Sequence, residues 1–365
     1  MIELELLVGS DEFWRRAAAD CAAARRRLLV QAMTFEGDEV GQSVAAAVAA
    51  ATAADRRVLV DAYSKVVVSD QWVATGNAEI RREARATNDM FRGLMRAGVG
   101  VRVTNPFAPL MTNYPARNHK KLIVADDAAY IGGINFSDHN FAWRDFMVRI
   151  EDEAAADFLA ADFQATWTGA PRPAAIGIDG LTLRSLDGRS NHTFFREIEA
   201  MISAARREIL VMSAYLTFPF DAPLAAAARR GVAVKLITPL ANNKPLVRDY
   251  LLDLAARAGF DLRLLPDMNH SKGLLIDGER LVVGSCNFDF VGHEAEEELA
   301  AVIDDPGLIA DFTARVVAPA MAAALGPQFH AVSRMRSLTA RGVLRTAQLV
   351  VRATRGSRRT TVEWS

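Results

Sequence analysis

Two imidazoles, two primary amines and two side-chain amides recur in this chain at a repeated spacing. In NHKKLIVADDAAYIGGIN (118–135), His119 precedes Lys121 by two, so in a strand both side chains leave the same side of the sheet. NHSKGLLIDGERLVVGSCN (269–287) repeats this with His270 and Lys272. Both stretches fit H-x-K-x-x-x-x-D, closing on Asp126 and Asp277, and both run through a Gly-rich turn to Asn135 and Asn287. The His-to-Asn spacing is 16 in the first and 17 in the second. The extra residue falls in the turn, where insertions cost little. A pair of imidazoles suits a two-step transfer, one ring as nucleophile and the other as acid, then base. Lysine and asparagine donors suit an anion whose charge is spread over several oxygens, above all a phosphoryl group in its transition state. Clustered carboxylates for Mg²⁺ are missing, as are Cys-x-x-Cys and His-Glu-x-x-His, so the expectation is phosphodiester chemistry with no metal or cofactor. Solvated strand ends would explain one such motif; two with matched flanks point to chemistry.

The elements that carry these residues are also written twice. AARRRLLVQAMTF (23–35) answers AARREILVMSAYLTF (204–218), and RAGVGVRVTNP (96–106) answers RAGFDLRLLP (257–266). Helices alternate with β-rich runs such as RRVLVDAY and GVAVKLITP, which predicts a mostly parallel sheet with helices on both faces in each half. The fold class is therefore α/β: two similar α/β/α sandwich halves about a pseudo-two-fold axis, with His119 and His270 in one cleft. The halves are read as 1–167 and 191–327, joined by a Gly-, Pro- and Ala-rich linker (168–190) around one short strand, and followed by a basic tail (328–365).

With 51% hydrophobic and 24% charged residues and a net charge of −1, the chain is ordinary globular material, with no overall field to attract a polyanion. Cys21 and Cys286 do not make a disulfide framework and fit a reducing compartment. MIELELLVGSDEFWRR lacks the basic start and long apolar run of a signal peptide, and the Ala-rich stretch 44–54 is too short to span a bilayer. The expectation is a cytoplasmic protein, peripheral on the inner membrane face. The tail supports it, with eight arginines against Glu363 alone. Over 331–352, Arg334, Arg341, Arg345 and Arg352 share one helical stripe, opposite Val332, Met335, Val343, Ala347 and Val350, as in a helix lying on an anionic membrane. The alternative is a helix packed on the body with its arginines in solvent. Phe107, Leu110, Met111 and Tyr114, just before His119, either line an acyl-chain entrance or pack their own loop. His139, His192, His293 and His330 have no partner pattern and read as surface or cap residues, and Cys286 as a buried bystander.

The doubled motif with its trailing G-[GS]-x-N resembles the phospholipase D superfamily, over about residues 8–325. The first half is most similar to the cardiolipin synthase and phosphatidyltransferase branch, through TFEGDEVG (34–41), YIGGINFSD (130–138), Trp143-Arg144-Asp145 and FMVRIED; GSCNFD (284–289) matches in the second. The resemblance implies an enzyme that cleaves and transfers a phosphodiester of a glycerophospholipid to an alcohol or water through a phosphohistidine. It implies a catalytic set of His119, Lys121, Asp126, His270, Lys272 and Asp277, in which the aspartates fix the hairpins rather than touch substrate. Lys121, Lys272, Asn135 and Asn287 would hold phosphate oxygens. Asp145 and Glu298 would orient the imidazoles, with Glu294, Glu296 and Glu297 competing for the second place. The family follows its second motif with Arg-Ser and then Asn-x-Glu, where this chain has FVGHEAEEE. The runner-up is a nuclease of the same superfamily, disfavoured by the near-neutral charge and the Trp-Arg-Asp signature. A degenerate scaffold is disfavoured by survival of every motif residue. No obligate protein partner is implied.

Overall fold

Strand Arg27–Ala32 is apolar on both sides: Leu28, Val30 and Ala32 enter one core and Leu29 another. Its counterpart Glu208–Met212 repeats the alternation, with Ile209 and Val211 facing outward helices and Leu210 and Met212 facing a shared central core. Burial on both faces is why these runs are almost continuously hydrophobic. The structure, a computed structural model, describes residues 2–75, 77–326, 332–357 and 359–364. His330 lies outside them.

Each half is built on an eight-stranded sheet. The first runs in the order Glu3–Val8, Phe146–Glu151, Ala128–Gly132, Leu122–Ala125, Arg27–Ala32, Asp55–Asp61, Gly100–Thr104, Thr361–Glu363. The second runs Ala174–Ile178, Leu181–Asp187, Glu297–Ile303, Arg280–Gly284, Gly273–Ile276, Glu208–Met212, Ala233–Pro239, Asp261–Leu265. Only the three-strand set Arg27–Ala32, Asp55–Asp61, Gly100–Thr104 and its counterpart are parallel within these sheets; every other pairing is antiparallel. The expected mostly parallel sheet is thus corrected to a mixed one. The reason is local: each His-Lys hairpin turns back at once through two or three residues, and a tight turn joins only antiparallel strands.

The linker expectation is also corrected. Residues 168–190 contain a hairpin, Ala174–Ile178 with Leu181–Asp187, that forms one edge of the second sheet. The tail crosses back: Thr361–Glu363 pairs with Gly100–Thr104, and Trp364 lies 4.2 Å from Phe91, ring to ring. Helices Ser10–Ala23, Glu39–Ala50 and Ala78–Arg96 cover the outer face of the first sheet. In Ala78–Arg96 the Asn77 side chain caps the amide of Glu79 at 2.9 Å, and Ile80, Thr87, Met90, Phe91 and Leu94 turn inward at helical spacing. His192–Ala204, Asp221–Arg229, Pro245–Ala258 and Arg334–Thr354 cover the second. The two inner faces share one core with helices Glu153–Trp167 and Pro306–Phe312, so the halves are joined by apolar burial.

Asp126 and Asp277 end the first strand of each hairpin, both at left-handed φ (52° and 55°). Asp126 accepts the amides of Arg25, Arg26 and Arg27 at 2.9, 2.8 and 3.0 Å. Asp277 does the same for Arg206, Arg207 and Glu208 at 2.9, 2.7 and 3.0 Å. Partial burial opposes ionisation, but these amides hold both carboxyls below the ordinary aspartate range. Asp126→Ala should therefore lower stability by about 1–2 kcal/mol, as loss of a helix cap does. A depressed carboxyl stabilises above its unfolded pKa and loses that effect as pH falls through its folded value, so the deficit should vanish in acid. Denaturant melts at pH 7 and pH 3 would show this; coincident midpoints at pH 7 would contradict it.

Candidate active site

Strand alternation sends the residues of the first motif to opposite sides. Lys120 turns to the helix layer, where its Nζ meets the Asp162 carboxylate at 2.7 and 2.8 Å. His119 and Lys121 turn the other way, and the Lys121 Nζ donates to the His119 carbonyl at 2.6 Å. The Lys272 ammonium likewise donates to the His270 carbonyl. Both lysines and both histidines are buried. The approach to His119 is fixed by Asp61, which takes Arg117 at 3.0 Å and the amide of Asn118 at 2.8 Å.

The two halves hold each other's imidazoles. His119 Nδ1 lies 3.0 Å from Glu298 Oε1, and His270 Nδ1 lies 2.9 Å from Asp145 Oδ2. The backbones cross in the same way. The amide of His119 donates to the Glu297 carbonyl at 2.9 Å, and that of His270 to the Arg144 carbonyl at 2.8 Å. Of the four acidic candidates in EAEEEL, Glu298 is the one on the ring; Glu294 pairs with Arg355 at 2.8 Å, and Glu297 accepts from Asn105 at 2.9 Å. The turns explain the flanking small residues. A Cβ on Gly133 would lie 2.3 Å from Asp145 Oδ2, whereas at the matching place Ser285 donates its hydroxyl to Glu298.

Nδ1 being engaged, each ring presents Nε2 to a cleft of about 970 Å³. His119, His270, Asn135 and Asn287 line it together, as the sequence predicts. Asp126 and Asp277 do not: they sit at the opposite strand ends, bound to backbone amides. His139, expected at the surface, lines the cleft, with Trp143 against it at 5.2 Å. Sequence reasoning also missed Lys244, whose Nζ stands 4.3 Å over the Tyr215 ring, and Tyr215 itself, 6.1 Å from the His270 ring. They carry no spacing signal, since they enter from loops that only the fold brings here. Cys286 is buried and its thiol is pushed well above the ordinary value by burial, so it is not a thiolate nucleophile.

The tail helix forms part of the wall. Gly342, Val343, Thr346, Ala347 and Val350 face the cleft. Its arginines tie it to the body: Arg336 to Asp249 at 2.7 Å, Arg341 to Asp253 at 2.6 Å, and Arg345 with its guanidinium 3.8 Å from the Phe218 ring centroid. Of the two readings of 331–352, the packed helix is the one seen over Arg334–Thr354, yet its apolar stripe rather than its whole arginine stripe is what remains uncovered.

Burial, Lys121, Lys272 and Lys244 hold His119 well below the ordinary imidazole value; burial and Lys272 do the same to His270, against the pull of Asp145. Both rings are neutral at pH 7. Their partners differ. Despite burial, Lys272 and the His270 bond keep Asp145 below the usual carboxylate range, while burial pushes Glu298 up to about 7, against Lys121 and Ser285. His270 is therefore backed by a full carboxylate and His119 by a carboxyl that is only partly ionised.

Comparisons with known proteins agree with this layout. A family profile described as "Cardiolipin synthase, PLD-like domain" matches residues 19–167 and 198–317. Cardiolipin synthase B of Salmonella typhi is 28% identical over 338 residues, covering 83% of this chain and 76% of that protein. Cardiolipin synthase B of Escherichia coli K12 is 27% identical over the same length. The crystal structure of phosphatidylserine synthase of Haemophilus influenzae Rd KW20 superposes with a TM-score of 0.74 at 16% identity, covering 96% of this chain and 94% of that one, which shows a shared fold.

With His270 Nδ1 donating to the Asp145 carboxylate, nitrogen-15 NMR at pH 7 should find that ring as the neutral Nδ1–H tautomer and the His119 ring neutral. Asp145→Asn should disturb His270 and leave His119 in place. An imidazolium signal from either ring in the ligand-free protein would contradict the neutral pair.

Proposed function

Because this chain belongs to the family of phospholipase D-like domains of cardiolipin synthases, we propose that it transfers the phosphatidyl group of a glycerophospholipid to an alcohol or water through a phosphohistidine. The observation that carries the reading is the facing pair of neutral imidazoles, each held through Nδ1 by the other half's acid. His119 Nε2, the less strongly backed ring, attacks phosphorus. When the anionic diester binds, His270 takes a proton from solvent water, the Asp145 carboxylate stabilising the imidazolium, and that proton passes to the leaving alcohol oxygen as the P–O bond breaks. The incoming alcohol or water then gives its proton to His270 and attacks phosphorus, releasing His119. Lys121, Lys272, Asn135 and Asn287 offset the charge on the phosphoryl oxygens. The nucleic-acid reading has less behind it: one wall of the cleft is the apolar stripe of the tail helix, which offers a polyanionic backbone no cation to pair with.

Phosphatidylglycerol vesicles given to the purified protein should yield cardiolipin with release of glycerol, and His119→Ala should reduce this about a thousandfold or more. Burial lowers the ammonium of Lys121 to about 7 and that of Lys272 to about 8. Lysine is charged below its pKa, so kcat/KM should fall as pH rises through this range. Release of choline-, ethanolamine- or glycerol-type headgroups by none of the common phospholipids, with turnover of an oligonucleotide instead, would reverse the assignment.

Among the described residues, no helix is long and apolar enough to cross a membrane. What the molecule does expose beside the cleft is apolar. Leu110, 96% exposed, tips the loop before His119, and Tyr114 of that loop lines the cleft. On the tail helix Met335, Leu338, Leu349 and Val350 are exposed, with Arg334 and Arg352 beside them. This surface suits peripheral seating on the anionic inner face of a membrane, apolar side chains entering the interface and arginines meeting lipid phosphates. Leu110→Asp with Leu349→Asp should cut sedimentation with anionic vesicles about tenfold or more while soluble short-chain substrate is still turned over. Equal sedimentation of variant and unaltered protein would remove this surface from the account.

A further inference from the structure

A carboxyl on the cleft wall beside His119 has no use in the scheme above. Glu296 lines the cleft, is only 7% exposed, and its buried Oε2 has no hydrogen-bond partner among the described residues. One carboxyl oxygen of Glu296, one of Glu298 and a ring nitrogen of His119 all lie within 4.8 Å of one another. Its neighbours are committed elsewhere. Glu298 serves the His119 ring and takes the Ser285 hydroxyl, and Asp289 Oδ1 accepts the amides of Val291 and Gly292 at 3.1 and 2.9 Å. With Glu298 as the acid of the Asn-x-Glu pattern, Glu296 stands at the Asn position, so a carboxyl replaces an amide.

We propose that Glu296 is a further catalytic residue, a neutral carboxyl whose O–H donates a hydrogen bond to one non-bridging oxygen of the phosphoryl group carried at His119. The proposal rests on the phosphodiester reading above and adds a donor to it. Three carboxyls crowd this corner, since Glu298 and Asp289 both face Glu296, and like charges this close do not all ionise. Lys244 and Lys121 favour ionisation, and Tyr114 also faces the group. Burial and the two acids outweigh the lysines and raise Glu296 well above the ordinary carboxyl value. A bound diester brings another negative charge to the same corner, and only a protonated carboxyl meets it with attraction. A carboxylic acid held neutral by its surroundings donates as the amide it replaces would, and transition-state charge on the phosphoryl oxygens strengthens the bond.

The test uses the full chain, a short-chain phosphatidyl p-nitrophenol, and the two phosphorothioate diastereomers of that ester. Glutamine copies the neutral donor, so Glu296→Gln should lose less than about tenfold in kcat/KM, whereas Glu296→Ala should lose about a hundredfold. Sulphur accepts hydrogen bonds poorly. The diastereomer whose sulphur takes the Glu296-bound place should be the slower one, and Glu296→Ala should shrink that penalty for this diastereomer alone. A merely structural role would slow both equally. Loss of activity in Glu296→Gln as deep as in Glu296→Ala, or an unchanged thio penalty in Glu296→Ala, would overturn the proposal while turnover by the unaltered protein upheld the phosphodiester reading. No turnover by the unaltered protein would remove both.

Discussion

Everything at the centre of this molecule depends on an exchange: each half supplies the carboxyl that holds the other half's imidazole. His119 belongs to the first hairpin and is held by Glu298, and His270 belongs to the second and is held by Asp145. The backbone repeats the exchange one residue away, through the Glu297 and Arg144 carbonyls. Ring orientation, tautomer and the facing of the two Nε2 atoms therefore all rest on the relative placement of two sheets. That placement is secured by one apolar core shared between their inner faces. Packing there is close, so small shifts of one sheet against the other are resisted by contacts far from the chemistry.

Near-symmetry of the halves makes the remaining differences informative. Gly133 and Ser285 occupy matching turns, and the hydroxyl present only in the second is spent on Glu298. Asp145 instead has Lys272 at 4.0 Å and the amide of Phe146 at 2.9 Å. Two imidazoles of the same chemistry thus sit on carboxyls of different basicity, which is the condition for dividing a two-step transfer between them. The corner holding Asp289, Glu296 and Glu298 with Lys121 and Lys272 is buried, and interactions between these groups are stronger than they would be in water.

The motif residues were legible because their signal is local. A period of two places His and Lys together, and a duplicated pattern separates them from chance. Asp145 was legible only through family likeness, and Glu298 stood among neighbouring glutamates; reach to the ring, which no linear pattern contains, separates it from Glu294, Glu296 and Glu297. His139, Tyr215 and Lys244 were hidden for the same reason, since they meet at the cleft from a short helix, Asp138–Phe141, and two separate loops. The expected parallel sheet fails because helix–strand alternation holds only for the three parallel strands of each half, while five pairings per sheet are antiparallel, the tight His-Lys hairpin among them. Between the halves the one expected strand has a partner, because Gly180 at φ 80° lets Ala174–Ile178 turn back onto Leu181–Asp187. In the tail, a helical stripe of arginines has the same spacing whether it meets lipid or carboxylates. Asp249 and Asp253, which decide it, lie on another helix.

The strand Thr361–Glu363 closes the edge of the first sheet with residues from the far end of the described chain. A ribosome synthesising this protein releases Gly100–Thr104 long before its partner exists, so the growing chain carries a bare β-edge throughout the synthesis of the second half. Bare edges recruit other strands. Arg102, on that strand, lies under the Trp167 ring at 4.7 Å and donates to the Trp167 carbonyl at 2.9 Å. Those contacts become available as soon as the first half is complete. They give the exposed edge a charged, occupied neighbour during the interval before the tail arrives to seal it.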